Sequence, residues 1–395
     1  MTKRLLGIFS YQGIPLAISL VQVPLLLSII GLAGYGQIQF LTMVSMIFLM
    51  IMDFGSNDFF FKKIGEARSS PDQDVNEVIE RLIVTRCVTA SAGFLLSLGL
   101  VLVTDPEIVL FCFSALLLSV TPTWIFFVID RFHVLNIFQM IWRSLNLGAL
   151  YFLLTAENFL IVFPTTLCVA LIAINIMSYW YLLRHTELRP KFRSINLMPD
   201  FKEMGQVFLG KLCLRIYWFV PYWILKGYDL EALGAYSLLD RIGQVLRTIP
   251  DGFSGHLMQD NKRNGSLKRI VIVTILVGLV LFWGYSASAW AAISFLSQDI
   301  SLAEIGLYAG GCAIYAASSI LANRYLVMNS QYLVHLMILA TGIAAVSFAA
   351  FATQGFGIEL LERILLCVLA VEMIMYVLRL AFIYRKSSSI EIRAA

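Results

Sequence analysis

GLAGYGQIQFLTMVSMIFLMIMDFGSNDFF, residues 31–60, decides the fold class of this chain. Its opening, Gly31 to Gly36, is dense in glycine and reads as a turn. From Gln37 to Met52 there is no ionisable side chain. A helix needs about 20 apolar residues to cross roughly 30 Å of hydrocarbon, so the stretch reads as a membrane span over 37–60. A related pattern returns at EALGAYSLLDRIGQVLRTIPDGFSGHLM, residues 231–258. Gly34, Tyr35 and Gly36 match Gly234, Ala235 and Tyr236, and Asp53, Phe54 and Gly55 match Asp251, Gly252 and Phe253. An internal repeat with equal polarity predicts two parallel halves related by an axis along the membrane normal.

Composition supports a bilayer environment for the whole chain. The 395 residues are 59% hydrophobic and only 14% charged, with a mean hydropathy of +0.82. Soluble domains have about 45–50% apolar and about 25% charged residues. Apolar runs place spans at 5–30, 37–60, 81–103, 107–129, 136–155, 159–183, 204–226, 233–257, 269–296, 301–323, 331–353 and 357–384. The expected fold is thus an all-α integral membrane protein with twelve transmembrane helices in two six-helix bundles. Residues 1–190 form the first bundle, 191–203 a cytoplasmic linker and 204–395 the second bundle. The run 136–155 is interrupted by Arg143, Ser144 and Asn146, and 233–257 is the most polar of the predicted helices. MTKRLLGIFSYQG, at 1–13, reads as the start of the first helix and not as a removable leader.

Lysines and arginines fall in alternate loops. One side collects Lys3 and Arg4, Lys62 to Arg81, Arg131, Arg184 to Lys202, Lys262 to Arg269, Arg324 and the C-terminal tail. The other holds Lys226 and Arg363. By the positive-inside bias both termini are cytoplasmic. The net charge of +4 then reflects topology and gives no reason to expect nucleic-acid binding. The six cysteines all lie in apolar runs without metal-site spacing, so packing is their expected role.

Several charges interrupt the spans, and ionisable groups at that depth belong in a bundle interior or a wet cavity. Lys211 and Arg215 are four residues apart and share a helix face. Asp240, Gln244, Arg247 and Asp251 fall at i, i+4, i+7 and i+11, a stripe flanked by Arg241. Arg86 and Arg143 lie one to two turns from the inside surface. The acids nearest the interior of the predicted spans are Asp53, Asp240, Asp251 and Glu372. Two readings stand for the cations: anchors or structural ion pairs, or the lining of a cationic cavity for an anionic headgroup. Arginine suits the second because its planar fork holds phosphate oxygens bidentately. For Asp53 the alternatives are helix capping and ion coupling.

The GLAGYG opening at 31–36, the MDFG close at 52–55 and LGAYSLLDRI at 233–242 resemble the Wzx-type O-antigen flippases. Those are polysaccharide transporters of the multidrug/oligosaccharidyl-lipid/polysaccharide (MOP) superfamily. The resemblance implies a MATE-like fold in a bacterial inner membrane and an undecaprenyl-pyrophosphate-linked oligosaccharide as cargo, moved outward by alternating access. It also implies coupling to protons or sodium, no bound cofactor, a monomer, and a polysaccharide polymerase and chain-length protein as pathway partners. Substrate binding would fall to Arg86, Arg143, Lys211, Arg215, Arg241 and Arg247, and ion coupling to Asp53, Asp240, Asp251 and Glu372. Two alternatives are kept. A cation-expelling exporter of the same fold would need an anionic or aromatic cavity. A membrane-integral polymerase or glycosyltransferase would need a sizeable outside loop, and the predicted outside loops are a few residues long. No ATP-binding or hydrolase motif is present in the sequence, so a secondary-type transporter is expected.

Overall fold

The structure, a computed structural model, describes residues 2–56, 59, 63, 75–101, 107–128, 131–185, 198–244, 267–296, 300–328, 342 and 359–394. Every element among them is helical. The chain divides into two compact units, Met1–Arg215 and Ile216–Ala395.

The first unit opens with α1, Thr2–Asp53, which contains a kink at Gly31. There φ is 67° and ψ is −176°, a conformation glycine adopts without the Cβ penalty of other residues. The predicted six-residue turn is therefore narrowed to one residue, and the helix resumes at once. α2 spans Val75–Val101 and packs on α1. At Gly93 an added Cβ would lie 2.9 Å from the Met52 side chain and 3.0 Å from its Cα, so the two backbones approach through this glycine.

The predicted span 107–129 is not one helix. It breaks into α3, Glu107–Val120, and α4, Thr123–Val128, around Thr121–Pro122. Proline has no N–H to donate and clashes with the preceding turn. Freed carbonyls at membrane depth need other donors, and α6, Phe159–His185, supplies them. Asn175 Nδ2 donates to the Leu117 carbonyl at 2.8 Å, and Tyr179 Oη donates to the Val120 carbonyl at 2.7 Å.

α5, Phe132–Leu153, is the run whose polar residues weaken its apolar signal. Those residues lie on one stripe, Asn136, Gln139, Arg143 and Asn146, of which Asn136, Gln139 and Asn146 are buried. Ile137, Met140, Ile141 and Leu145 on the other face are exposed. α5 packs on α1 and α6, so its polar stripe meets protein and its apolar face is left for lipid.

α7, Met198–Tyr228, begins in the first unit and ends in the second. The second unit continues with α8, residues 230–244, then α9, Leu267–Leu296, α10, Leu302–Met328, and α11, Leu360–Ala394. α10 packs between contacts to α9 and to α11. Among the described residues four stretches are long and apolar enough to cross a bilayer: Val21–Asp53, Glu77–Gly99, Phe159–His185 and Ile275–Ser294. The predicted span 331–353 lies outside the described residues save for position 342.

Candidate functional site

In the second unit the polar centre is Asp240 on α8. It is only 5% exposed, so its carboxylate needs donors in place of water. Tyr222 Oη, from the end of α7, donates to Oδ2 at 2.8 Å. Gln244 Nε2, one turn along α8, donates to the same oxygen at 2.9 Å. Tyr308 Oη, from α10, donates to Oδ1. Three neutral donors from three helices thus hold one acid.

An aromatic frame keeps those donors in place. Tyr236 meets Tyr222 edge to face, centroids 5.2 Å apart, and meets Tyr308 at 5.8 Å. Tyr285 lies 5.5 Å from Tyr308 and donates its hydroxyl to the Leu239 carbonyl at 2.8 Å. Edge-to-face pairs of this kind add about 0.5–1.5 kcal/mol beyond buried area. Beside the frame is a cavity lined by Asp240, Tyr308, Trp218, Tyr315, Cys312 and Glu372, with ≈ 30 Å³ of water-sized space. That is room for about two waters or one small ion. Glu372, on α11, is 6% exposed. Two of the predicted ion-coupling acids therefore line the same chamber.

Arg241, next to Asp240 on α8, is half-buried. Its Nη1 donates to Gln244 Oε1 at 3.4 Å, and its Nε is buried without a hydrogen-bond partner among the described residues. A guanidinium carries five N–H donors, so capacity for an acceptor remains. Arg215, on α7, is half-buried as well.

In the first unit, Asp53 and Arg86 meet each other. Arg86 Nη2 lies 2.9 Å from Asp53 Oδ1, and Ser56 Oγ donates to the same carboxylate oxygen at 3.1 Å. Arg86 Nη1 reaches the Thr121 carbonyl at the α3–α4 break, 3.4 Å away. Asp53, Ser56, Arg86 and Thr121 are all buried. A predicted coupling acid and a predicted substrate cation thus share one buried ion pair. Arg143 sits half-buried on the polar stripe of α5. Lys211 falls within α7, but its side chain lies outside the described residues, as do Arg247 and Asp251.

Sequence reasoning missed the tyrosines. Tyr222, Tyr236, Tyr285 and Tyr308 come from four helices, and no spacing along the chain links them. The single legible hint is that Asp240 and Gln244 are one turn apart.

With the geometry in hand, comparison with known proteins places the chain. The model of a family described as polysaccharide biosynthesis protein matches residues 2–250. The chain belongs to that family. No curated protein matches it. In fold, this member of the polysaccharide biosynthesis family is similar to an inward-facing multidrug resistance MATE family transporter of the MOP superfamily, with 10% identity and a TM-score of 0.67 over 100% of this chain and 95% of that one. It is also similar to the MATE multidrug transporter DinF-BH, solved as a complex, at 14% identity and a TM-score of 0.65, over 98% of this chain and 96% of that one. A MATE in the bent conformation gives 9% identity and a TM-score of 0.55, covering 98% and 95% of the two chains. The expected resemblance to a polysaccharide family is thus borne out at the level of the polysaccharide biosynthesis family, as are a MATE-like helical fold and a multi-pass membrane protein.

Proposed function

We propose that this protein is a flippase for an undecaprenyl-pyrophosphate-linked oligosaccharide, an O-antigen or related repeat unit. It works by alternating access, from the cytoplasmic to the periplasmic leaflet of a bacterial inner membrane. It would do so as a monomer of twelve spans, with both termini cytoplasmic and two bundles at 1–190 and 204–395 joined by the linker 191–203. The observation that carries the reading, within the polysaccharide biosynthesis family, is Arg241. It is a half-buried guanidinium in a predicted membrane helix, with a buried Nε that no described group accepts. A pyrophosphate offers several strong acceptors, and the guanidinium fork matches phosphate geometry. Arg86, Arg143, Lys211, Arg215 and Arg247 complete the proposed cationic set. Asp240 and Glu372, with Asp53 and Asp251, are proposed to couple transport to protons or sodium. The two-water chamber beside Asp240 supports the part of Asp240 and Glu372. A polysaccharide polymerase and chain-length protein remain the proposed pathway partners.

The test is leaflet-resolved transport of a lipid-linked oligosaccharide by purified protein in vesicles. Arg215→Ala, Arg241→Ala and Arg247→Ala should each lower the rate at least about tenfold, the loss of roughly 1.4 kcal/mol of binding. Full transport by all three variants sinks the cationic-site reading.

A second reading has one observation in its favour. The chamber in the second unit is aromatic and holds two acids, the lining predicted for an exporter of cations. Vesicles loaded with a cationic dye separate the two readings. Dye efflux without oligosaccharide transport favours the exporter.

A further inference from the structure

The α1 terminus has a backbone that its sequence does not favour. Phe54 has φ of 46° and Gly55 of 72°. Glycine takes the left-handed region freely, whereas phenylalanine does so under strain that its surroundings must hold. The Asp53–Arg86 pair and the Ser56 hydroxyl bracket this turn on both sides. The strained conformation has a definite result. The Phe54 ring is laid on α7, stacked on Phe208 with centroids 4.7 Å apart and tilted against Phe201 at 6.0 Å. Its Cζ comes within 3.9 Å of where a Cβ of Gly205 would be, so glycine leaves room for the ring.

Phe201, Phe208 and Arg215 follow one another at seven-residue steps, nearly two turns each, and therefore share a face of α7. We infer that the buried Asp53–Arg86 pair is a positioning clasp: it holds the turn that presses Phe54 on α7, and so sets the rotation of the face carrying Arg215. A bent or straight α1 terminus would then be read out as a turn of α7, the helix leading from one half of the sequence to the other. The consequence for transport rests on the headgroup role proposed for Arg215; the mechanical claim does not.

The experiment uses the full-length protein in vesicles, with its native cysteines replaced and a single cysteine at 215. The rate of labelling by a membrane-impermeant maleimide is measured. Asp53→Asn and Phe54→Ala should each change that rate several-fold in the same direction. The double variant should go no further than the larger single change, because both act through one contact. Asp53→Glu should restore the parent rate. Glu77→Gln, which removes an exposed pair with Arg81 on α2, should leave it unchanged. If Asp53→Asn lowers the melting temperature but the rate at 215 stays the same, the pair merely supports the fold and the clasp is wrong. Should Asp53→Asn fail to fold, Phe54→Ala decides alone, and an unchanged rate overturns the proposal. No substrate enters this measurement, so failure of the flippase reading would appear separately in the transport assay.

Discussion

Arg86 shows how one residue's meaning depends on its neighbour. As a lone cation at membrane depth it qualifies for a substrate site; paired with Asp53 at 2.9 Å it is also a structural joint. Removing one partner of a buried pair leaves an uncompensated charge, at a cost of about 3–5 kcal/mol. Arg86→Ala should lower unfolding stability in detergent by that order, and Arg86→Ala with Asp53→Ala should recover part of the loss, since no orphan charge remains. Asp240 calls for a different test. Tyr222 and Gln244 share one of its oxygens and can still donate to an amide oxygen there, while the Tyr308 hydroxyl on the other can turn to accept from the amide nitrogen. Asp240→Asn should therefore fold normally but lose transport driven by an imposed proton or sodium gradient, measured in vesicles. Transport that still follows the gradient would remove Asp240 from the coupling role.

At the scale of elements, helices are built around departures from regularity. The α3–α4 break at Thr121–Pro122 is legible in advance only as a proline inside an apolar run. What makes it tolerable comes from α6, through Asn175 and Tyr179. Tyr179→Phe removes the donor to the half-buried Val120 carbonyl, and the net loss of one such hydrogen bond costs about 0.5–1.5 kcal/mol. A drop of that size in thermal or denaturant stability is expected, with little change in helix content. Gly93 is the second such position. Any side chain there meets the α1 backbone at about 3 Å, so Gly93→Leu should force α1 and α2 apart and reduce the yield of folded protein. α5 teaches a converse lesson. Its apolar run is interrupted, yet Arg143 and Asn146 among the interruptions lie on the polar stripe of a helix that packs on α1 and α6.

For the whole molecule, the repeat and the loop charges lead to one topology. It predicts that Ser301→Cys is labelled by an impermeant maleimide from the periplasmic side, whereas Arg131→Cys is labelled only after permeabilisation. Labelling in the reverse order would overturn the proposed orientation. The two halves also differ chemically. Where the repeat aligns, the first half carries buried Phe40 and the second carries Asp240. An acid at this position exists in one half only, so under the proposed coupling an ion bound at Asp240 would act on the second unit and leave its counterpart position apolar.

The sequence by itself determined the solvent of this protein, the helical class, the repeat and the family resemblance. Each of these is a property of local composition and of spacing along the chain, where hydrophobicity and charge act without knowledge of partners. Only the tertiary structure decided that Asp53 belongs to Arg86, that Asp240 is held by tyrosines from other helices, and that Phe54 rests on α7. Those contacts join residues tens of positions apart. Their energies exist only once packing has removed water and brought the groups within hydrogen-bond or van der Waals reach.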